Sequence, residues 1–303
     1  MKHFLLNATG AALVLLLIPC PGISAGEEDL LKVTFLDVRQ GDSQVIQTPS
    51  GKVILIDGGQ SATRYSSFDA GESAVLPYLE SEGIKKIDLV INTHPDYDHT
   101  GGLIAVLKSD LEIGEVLDTG IVHTTGTYQD FMKEVQRRKL PYRVPDAGEI
   151  LDWGEGLEVQ IIGPSGPPER RSHLNLNNNS VVVRLEYGDV SFLFTGDAEH
   201  EQEDILISSG ARLKSTILKS GHHGSRTASG PRLYYLTDPE VVTISAGKRN
   251  KFDHPHWDPV KLFRETGARI YRTDYHGNIT VITDGKDYEV ITGYLSDPEE
   301  ESD

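Results

Sequence analysis

The first half of the chain alternates short apolar runs with turns and amphipathic stretches. Runs rich in β-branched residues predict strands, and stretches with an apolar stripe on one helical face predict helices. The predicted strands are residues 31–38, 44–48, 53–57 and 87–91, and the predicted helices are residues 72–82, 102–108 and 128–139. Because glycine-bearing turns separate the first three strands, we expect them to form a meander.

The second half repeats this order of strand clusters followed by helices. Its predicted strands are residues 157–162, 180–187, 190–194, 216–219, 241–245, 269–272, 278–283 and 288–292, and its predicted helices are residues 199–208 and 256–266. Two half-domains of this kind can stack sheet on sheet with their helices outside. The pattern therefore predicts an α/β sandwich.

The N-terminus has the pattern of a secretory signal peptide over residues 1–25. Lys2 precedes an apolar stretch at residues 11–18, and small residues lead to a cut near Ala25. The apolar stretch is too short for a membrane span, so we expect an exported protein, periplasmic or extracellular, with no span in the mature chain. Lipid attachment at Cys20 is an alternative, although Pro19 disfavours it.

Composition narrows the chemistry further. Cys20 is the only cysteine, so cleavage near Ala25 would exclude disulfides, cysteine nucleophiles and thiolate metal sites. The formal net charge of −17 favours a soluble exported protein and disfavours a polyanionic partner. The length that remains after residues 1–25 suits one large domain or two modest ones, and residues 295–303 form an acidic tail.

Four metal-ligand side chains stand on one predicted loop. Residues 93–102 read THPDYDHTGG and follow the strand predicted at residues 87–91. Pro95 and the two glycines favour a loop over a regular element. Its ligand residues are His94, Asp96, Asp98 and His99. Mixed imidazole and carboxylate donors suit zinc, with manganese or iron as rivals, and disfavour calcium.

Two later strand ends carry the same residue types. Asp197 follows an apolar strand, where it is either the N-cap of the next helix or a carboxylate that bridges two cations. His222 and His223 are adjacent and flanked by glycines, and we expect at least one of them at a metal site.

Several other polar residues are weaker candidates. Asp57 follows a strand in a turn, the amide of Asn178 either satisfies a loop or contacts substrate, and His254 is a candidate substrate contact. Ser225 follows a glycine, but no strand–elbow–helix pattern for a serine nucleophile surrounds it. No phosphate-binding loop of the G-x-x-x-x-G-K-[ST] type is present.

Taken in order, these motifs resemble the metallo-β-lactamase superfamily, and more narrowly the soluble hydrolase domain of ComEC-type DNA-uptake proteins. The matching segments read FLDVRQGDS (35–43), LIDGG (55–59), THPDYDHTGG (93–102), NNNS (177–180), TGDAE (195–199), LKSGHHGS (218–225), a late Asn250 with His254-Pro255, and RTD (272–274) with Gly277. Arg39 replaces the usual glycine, Asp96 replaces a second histidine, and the third-motif histidine lacks a counterpart, since His173 has none of the surrounding pattern.

The resemblance implies one hydrolase domain at residues 30–294, built as a four-layer αββα sandwich, with two divalent ions, zinc before manganese or iron. His94 and Asp96 would hold one ion, Asp98 and His99 the other, and Asp197 would bridge them. In this scheme His222 completes the second site, and His223 is its substitute or a supporting residue, as are Asp57 and Ser225. Asp98 would also orient a metal-bound hydroxide that attacks phosphorus, while His254 and Asn178 contact a substrate oxygen.

The expected function is therefore an exported metal-dependent phosphodiesterase or nuclease, without the transmembrane channel of DNA-uptake proteins. Basic residues near the later loops would favour an anionic substrate, nucleic acid included: Lys214, Lys219, Arg226, Arg232, Lys248, Arg249 and Lys251. Alternatives are an esterase, lactonase, thioesterase or phosphocholine-type esterase for small molecules, and a binding protein without catalysis. A β-lactam substrate is disfavoured. The oligomeric state is open.

Overall fold

A computed structural model of the chain describes residue 26 and residues 29–63, 66–168 and 175–294. The predicted signal peptide with Cys20, the loop residue His173 and the acidic tail at residues 295–303 lie outside the described residues. Among the described helices, none combines the length and the apolar character that crossing a membrane requires.

Fourteen strands in the described part form two mixed sheets. The first sheet contains β1 (Leu31–Phe35), β2 (Gln44–Gln47), β3 (Val53–Ile56), β4 (Lys86–Asn92), β5 (Glu112–Asp118), β6 (Tyr142–Arg143), β13 (Ile279–Thr283) and β14 (Tyr288–Thr292). Their order is β14-β13-β1-β2-β3-β4-β5-β6.

The second sheet has the order β12-β11-β10-β9-β8-β7. Its strands are β7 (Leu157–Gly163), β8 (Val182–Tyr187), β9 (Val190–Phe194), β10 (Ile217–Lys219), β11 (Val241–Ile244) and β12 (Arg269–Arg272). Strands β9 to β12 run parallel, as do β3 to β6 in the first sheet.

Short helices follow these parallel strands. They are α1 (Leu76–Ser81), α2 (Tyr97–Thr100), α3 (Leu103–Lys108), α4 (Gly126–Arg138), α5 (His200–Ser208), α6 (Pro231–Thr237), α7 (Trp257–Glu265) and α8 (Thr273–His276). A π-helical turn at Gly71–Val75 leads into α1, and 3-10 turns occupy Asn177–Asn179 and Gly221–Gly224.

Apolar side chains divide the described part into layers. One buried cluster, which includes Phe35, Ile91 and Phe194, fills the space between the two sheets. A second cluster packs α1, α3 and α4 on the first sheet, and a third packs α5, α6 and α7 on the second. This confirms the predicted four-layer αββα sandwich.

The parallel strands explain where polar loops gather. Strands β3 and β4 end at neighbouring positions of one sheet, and β9, β10 and β11 do so in the other. In open α/β sheets the loops after such carboxyl ends form the ligand-binding crevice. Here those loops carry the candidate ligand residues.

The secondary-structure prediction was incomplete in two ways. It missed β5, β6, α6 and α8. It also treated residues 93–102 as loop throughout, whereas Tyr97–Thr100 forms a helical turn that places Asp98 and His99 on the inside. The other predicted elements are present, with bounds shifted by at most three residues when the π-helical turn at Gly71–Val75 is counted with α1.

Candidate metal centre

Three strand-end loops, far apart in the sequence, meet at one carboxylate oxygen. The Nε2 atoms of His99, His223, His94 and His222 lie 3.2, 3.4, 3.8 and 3.9 Å from Asp197 Oδ2. The loops after β4, β9 and β10 therefore contribute to a single cluster. Asp197 occupies its centre, as a bridging ligand would.

The carboxylates of the first loop lie beside different histidines. Asp96 is partly exposed, and its Oδ2 is 3.6 Å from His94 Nε2. Asp98 is more buried, and its Oδ2 is 3.5 Å from His223 Nε2. The donors thus form two sets that share Asp197. The structure places His223, rather than His222, beside Asp98.

Asp57 orients the first two rings. Its Oδ2 accepts hydrogen bonds from His99 Nδ1 at 2.8 Å and from Thr93 Oγ1 at 2.7 Å. Because that hydroxyl hydrogen is committed, Thr93 Oγ1 accepts from His94 Nδ1 at 3.1 Å. Both rings therefore carry their hydrogen on Nδ1 and turn the lone pair of Nε2 toward Asp197.

His222 and His223 are oriented in the same way by separate acceptors. His223 Nδ1 donates to the carbonyl oxygen of Ser245 at 3.0 Å and lies 3.2 Å from Asp42 Oδ1. His222 Nδ1 donates to Glu199 Oε1 at 3.1 Å. Carbonyl and carboxylate oxygens only accept, so in the neutral form of each ring Nε2 keeps a free lone pair.

Buried atoms at the centre lack hydrogen bonds. Within the described residues, no partner is present for Nε2 of His94, His99 and His223 or for Oδ1 of Asp197. Buried polar atoms are normally satisfied, and lone pairs that face a carboxylate oxygen repel it unless a cation lies between them. Imidazole and carboxylate donors bind zinc, and also manganese and iron. The residues present therefore fit divalent cations.

The charges of the cluster also favour cations. Burial alone would lower the pKa of His99 and His223, but Asp197, together with Asp57 or Asp42, outweighs burial and raises the pKa of both rings well above its usual value. Burial alone would raise the pKa of Asp197, yet the same two histidines hold it well below its usual value. The site attracts positive charge, which protons or metal ions can supply.

A buried ion pair behind the cluster was missed by the sequence analysis. Lys219 Nζ contacts Asp42 Oδ2, donates to Gly196 O at 3.0 Å and lies 3.9 Å from Asp197 Oδ1. The inclusion of Lys219 among the basic residues that would attract an anionic substrate was wrong, since its side chain is 1% exposed. The sequence offered one signal for this ion pair: the lysine stands at the end of an apolar strand, just before the paired histidines.

The ion pair fixes the charge of Asp42. Burial would raise the pKa of Asp42, but Lys219, His223 and His99 outweigh burial and lower it to about 2. Atoms of Asp42, His99, Asp197 and His223 all lie within 4.8 Å of one another. Because Asp42 contacts the Nδ1 side of His223, it supports the ring from behind.

Asn178 and Ser225 support the loops that carry ligands. Asn178 Oδ1 accepts from the backbone N–H of Glu199 at 3.0 Å and of Gln202 at 3.3 Å, so it caps the start of α5. Ser225 is buried, with its Oγ 3.0 Å from Thr227 Oγ1. Through these contacts both side chains stabilise the loops that carry the ligand residues.

His254 lies at the edge of the cluster. Its ring centroid is 5.3 Å from that of His222 and 6.1 Å from that of His223, and Phe252 stacks on it at 5.6 Å. Asn250 binds both the N–H and the C=O of His254 and so fixes its backbone. Burial, with the two neighbouring histidines, lowers the pKa of His254 to about 4.

Comparison with known proteins identifies the family of the chain. The family profile described as Metallo-beta-lactamase superfamily matches residues 36–248. ComE operon protein 3 of Bacillus subtilis (strain 168) is 31% identical over 277 residues, which are 88% of this chain and 34% of that protein. Recombination protein 2 of Haemophilus influenzae is 30% identical over 250 residues, which are 82% of this chain and 28% of that protein. The chain spans about a third of the length of these curated relatives.

Solved structures with similar folds are more distant. One is a putative metal-dependent hydrolase from Parabacteroides distasonis, 12% identical, with a TM-score of 0.47 over 80% of this chain and 94% of that chain.

Proposed function

Because this chain belongs to the metallo-β-lactamase superfamily, we propose that it is an exported metal-dependent hydrolase that cleaves phosphodiesters. The observation that carries the proposal is the convergence of four imidazole Nε2 atoms on Asp197 Oδ2. Divalent cations bound there would lower the pKa of water and neutralise the anionic oxygens of a phosphodiester. Export is proposed from the signal-peptide pattern at residues 1–25.

Asp98 is the proposed residue that orients the attacking water. The pKa of Asp98 is lowered: burial opposes this, but the neighbouring imidazoles of His223, whose Nε2 is 3.5 Å away, and of His99 outweigh burial. The carboxylate is therefore ionised at neutral pH and accepts a hydrogen bond from water near the cluster. An ionised carboxylate in this place holds water in line with the reacting phosphorus.

His254 is the proposed contact to a substrate oxygen. Since its pKa is lowered to about 4, the ring is neutral at neutral pH. Within the described part its Nδ1 has no hydrogen-bond partner. A neutral imidazole beside the cluster can donate one hydrogen bond to a non-bridging oxygen without repelling the cations.

An anionic substrate is favoured by the loop that carries His254. Lys248, Arg249 and Lys251 are exposed on this loop, and Arg226 is exposed on the loop of the paired histidines. Lys251 Nζ lies 4.8 Å above the ring of Phe252, which stacks on His254. Positive charge at this edge would attract phosphodiesters. One relative is a recombination protein, which supports nucleic acid as the polymer.

A small-molecule ester, thioester or lactone is the second candidate. The net charge of −17 favours it, because an acidic surface repels a long polyanion. The two candidates differ in how hydrolysis depends on substrate length.

A substrate panel with a metal-free control tests the proposal. Hydrolysis of a generic phosphodiester, single-stranded DNA, a thioester and a lactone would be measured before and after metal removal. We expect the phosphodiesters to be cleaved only with metal present. Asp98→Ala should lower the rate about 100-fold or more, while the metal-free variant still folds, and the exposed Asp110→Ala should not change the rate. Hydrolysis that continues at the same rate after metal removal would contradict the proposal.

A further inference from the structure

The paired histidines stand in an unusual backbone conformation. His222 and His223 have φ of 46° and 55°, in the left-handed region that side chains other than glycine seldom adopt. Two consecutive residues of this kind are strained, and such strain persists where surrounding contacts enforce it. In a strand, adjacent side chains point to opposite faces. Here both rings instead reach the same oxygen, Asp197 Oδ2.

The two rings approach that oxygen from different surroundings. His223 is buried, its ring centroid is 5.2 Å from that of His99, and its Nε2 is 3.5 Å from Asp98 Oδ2. His222 has a side chain that is 25% exposed and contacts the ring of His254 edge-on. They therefore approach the bridging carboxylate from its interior and solvent sides.

Glu199 holds His222 too firmly for an incidental surface residue. Glu199 Oε1 accepts from His222 Nδ1 and, at 2.6 Å, from Thr227 Oγ1, while its Oε2 accepts from Asn175 Nδ2 at 2.6 Å. A carboxylate on the far nitrogen is the usual support of a metal-binding histidine.

We propose that both histidines are metal ligands and that each serves a different ion. His223 joins Asp98 and His99. His222 joins His94 and Asp96. The Nε2 atoms of His222 and His94 lie 3.9 and 3.8 Å from Asp197 Oδ2. Glu199 is the positioning residue for His222, and Asp42 has the same task for His223. This inference rests on the metal centre that the proposed function uses, but it is measured without hydrolysis.

Metal titration of the full chain tests the assignment. Metal-stripped wild type would be titrated with Mn²⁺ by calorimetry at constant pH, alongside His222→Ala, His223→Ala and the control His200→Ala, an exposed histidine at the start of α5. We expect two binding events in wild type and in the control. Each ligand variant should lose at least about 10-fold in affinity for one ion and keep the other.

Double variants identify which ion is lost. His222→Ala combined with Asp96→Ala should weaken the same ion without additivity, whereas His222→Ala combined with Asp98→Ala should affect both ions. The pattern for His223→Ala should be the reverse. Glu199→Ala should weaken the ion that His222→Ala weakens by about 10- to 100-fold, and Glu199→Gln should restore part of the affinity.

The outcomes separate this inference from the proposed function. Two unchanged binding events in His222→Ala, or coupling of His222 to Asp98 rather than Asp96, would overturn the assignment while leaving hydrolysis open. Wild type that binds no Mn²⁺ would overturn both. The expected titration with no phosphodiester cleavage would support the assignment and refute the proposed substrate.

Discussion

Lys219 is a buried ammonium group among carboxylates, and its main contact is Asp42. Both side chains are 1% exposed, so neither charge is stabilised by water. Removal of one member of such a pair leaves an uncompensated buried charge, which costs more than the intact pair contributes. The pair therefore matters for stability as well as for the orientation of His223.

Lys219→Met should lower the free energy of unfolding by about 3–5 kcal/mol at pH 7, because Asp42 loses its counter-charge. Asp42→Asn in the same chain should recover part of this loss. Urea unfolding of metal-free protein measures both. The control is Lys214→Met, whose exposed pair with Asp238 should contribute under about 1 kcal/mol. Equal losses of unfolding free energy in the two lysine variants would show that the buried pair stabilises the chain no more than the exposed pair does.

Glu203 gives a pH-dependent stability that does not involve the cluster. It is buried in α5, and burial raises its pKa from 4.5 to about 7. Below about pH 4.5 the group is neutral in the folded and unfolded chain. Between pH 4.5 and 7 only the unfolded chain ionises, so this group lowers stability as the pH rises, by about 3 kcal/mol in total.

Glu203→Gln should therefore stabilise the chain at pH 8 and have little effect at pH 4.5. Unfolding free energies of wild type and variant at the two pH values measure this difference. Glu201→Gln, at an exposed position of the same helix, is the control and should shift stability equally at both pH values. A Glu203→Gln effect that does not change with pH would contradict the assigned pKa.

At the scale of elements, the first ligand loop depends on close backbone packing. A Cβ atom added to Gly102 would lie 1.9 Å from Gly58 O and 2.7 Å from Gly71 N. Both contacts are with backbone, which cannot move aside as a flexible side chain can. The absence of a side chain at Gly102 therefore lets the helical turn with Asp98 and His99 settle against the loop after β3.

Gly102→Ala should destabilise the chain by about 3 kcal/mol and weaken metal binding, because the first ligand loop must shift. Gly126→Ala is the control: no atom lies within 4 Å of its added Cβ, and it starts α4. That substitution should leave stability unchanged or raise it by up to about 1 kcal/mol. Thermal unfolding and metal titration measure the two effects. Equal stability and equal metal affinity of the two variants would refute the packing argument.

The sequence was informative about elements and ligands where the signal is local. The ligand residues of the first loop stand within a few positions, so their chemistry was predictable. Strand β5 was missed because Glu112, Gly114 and Glu115 interrupt its apolar residues. Glutamate and glycine are depleted in strands, so the segment lacks a clear strand pattern. Gly114 is required there, since a Cβ would lie 2.4 Å from Asp88 O.

Long-range partners could not be predicted in the same way. Asp42 meets Lys219 only after the two sheets have stacked, and Glu199 meets His222 only after β9 and β10 have paired. Each of these residues alone resembles an ordinary surface charge. The supporting carboxylates and the ammonium group therefore became visible only in the structure.

At the scale of the whole molecule, the ligand cluster joins the two halves of the sandwich. His94 and Asp98 follow β4 of the first sheet, whereas Asp197 and His223 follow β9 and β10 of the second. A bound ion would therefore hold the two sheets together. Ligands that bind only the folded state stabilise it according to their concentration and affinity.

Metal should consequently raise the unfolding temperature of the whole chain. A metal concentration 100 times the dissociation constant should add about 2.7 kcal/mol, and a chelator should remove it. Differential scanning calorimetry with and without metal measures the change. Asp197→Ala should show no such rise, whereas the exposed Asp110→Ala should respond like wild type.

The most direct test of the metal centre is the metal content of the purified chain. The protein would be loaded with zinc or manganese at neutral pH, dialysed against metal-free buffer and measured by mass spectrometry of its elements. We expect close to two ions per wild-type chain and a large loss in Asp197→Ala. A wild-type chain without metal, or an Asp197→Ala chain that retains two ions, would contradict a metal centre formed by the three loops.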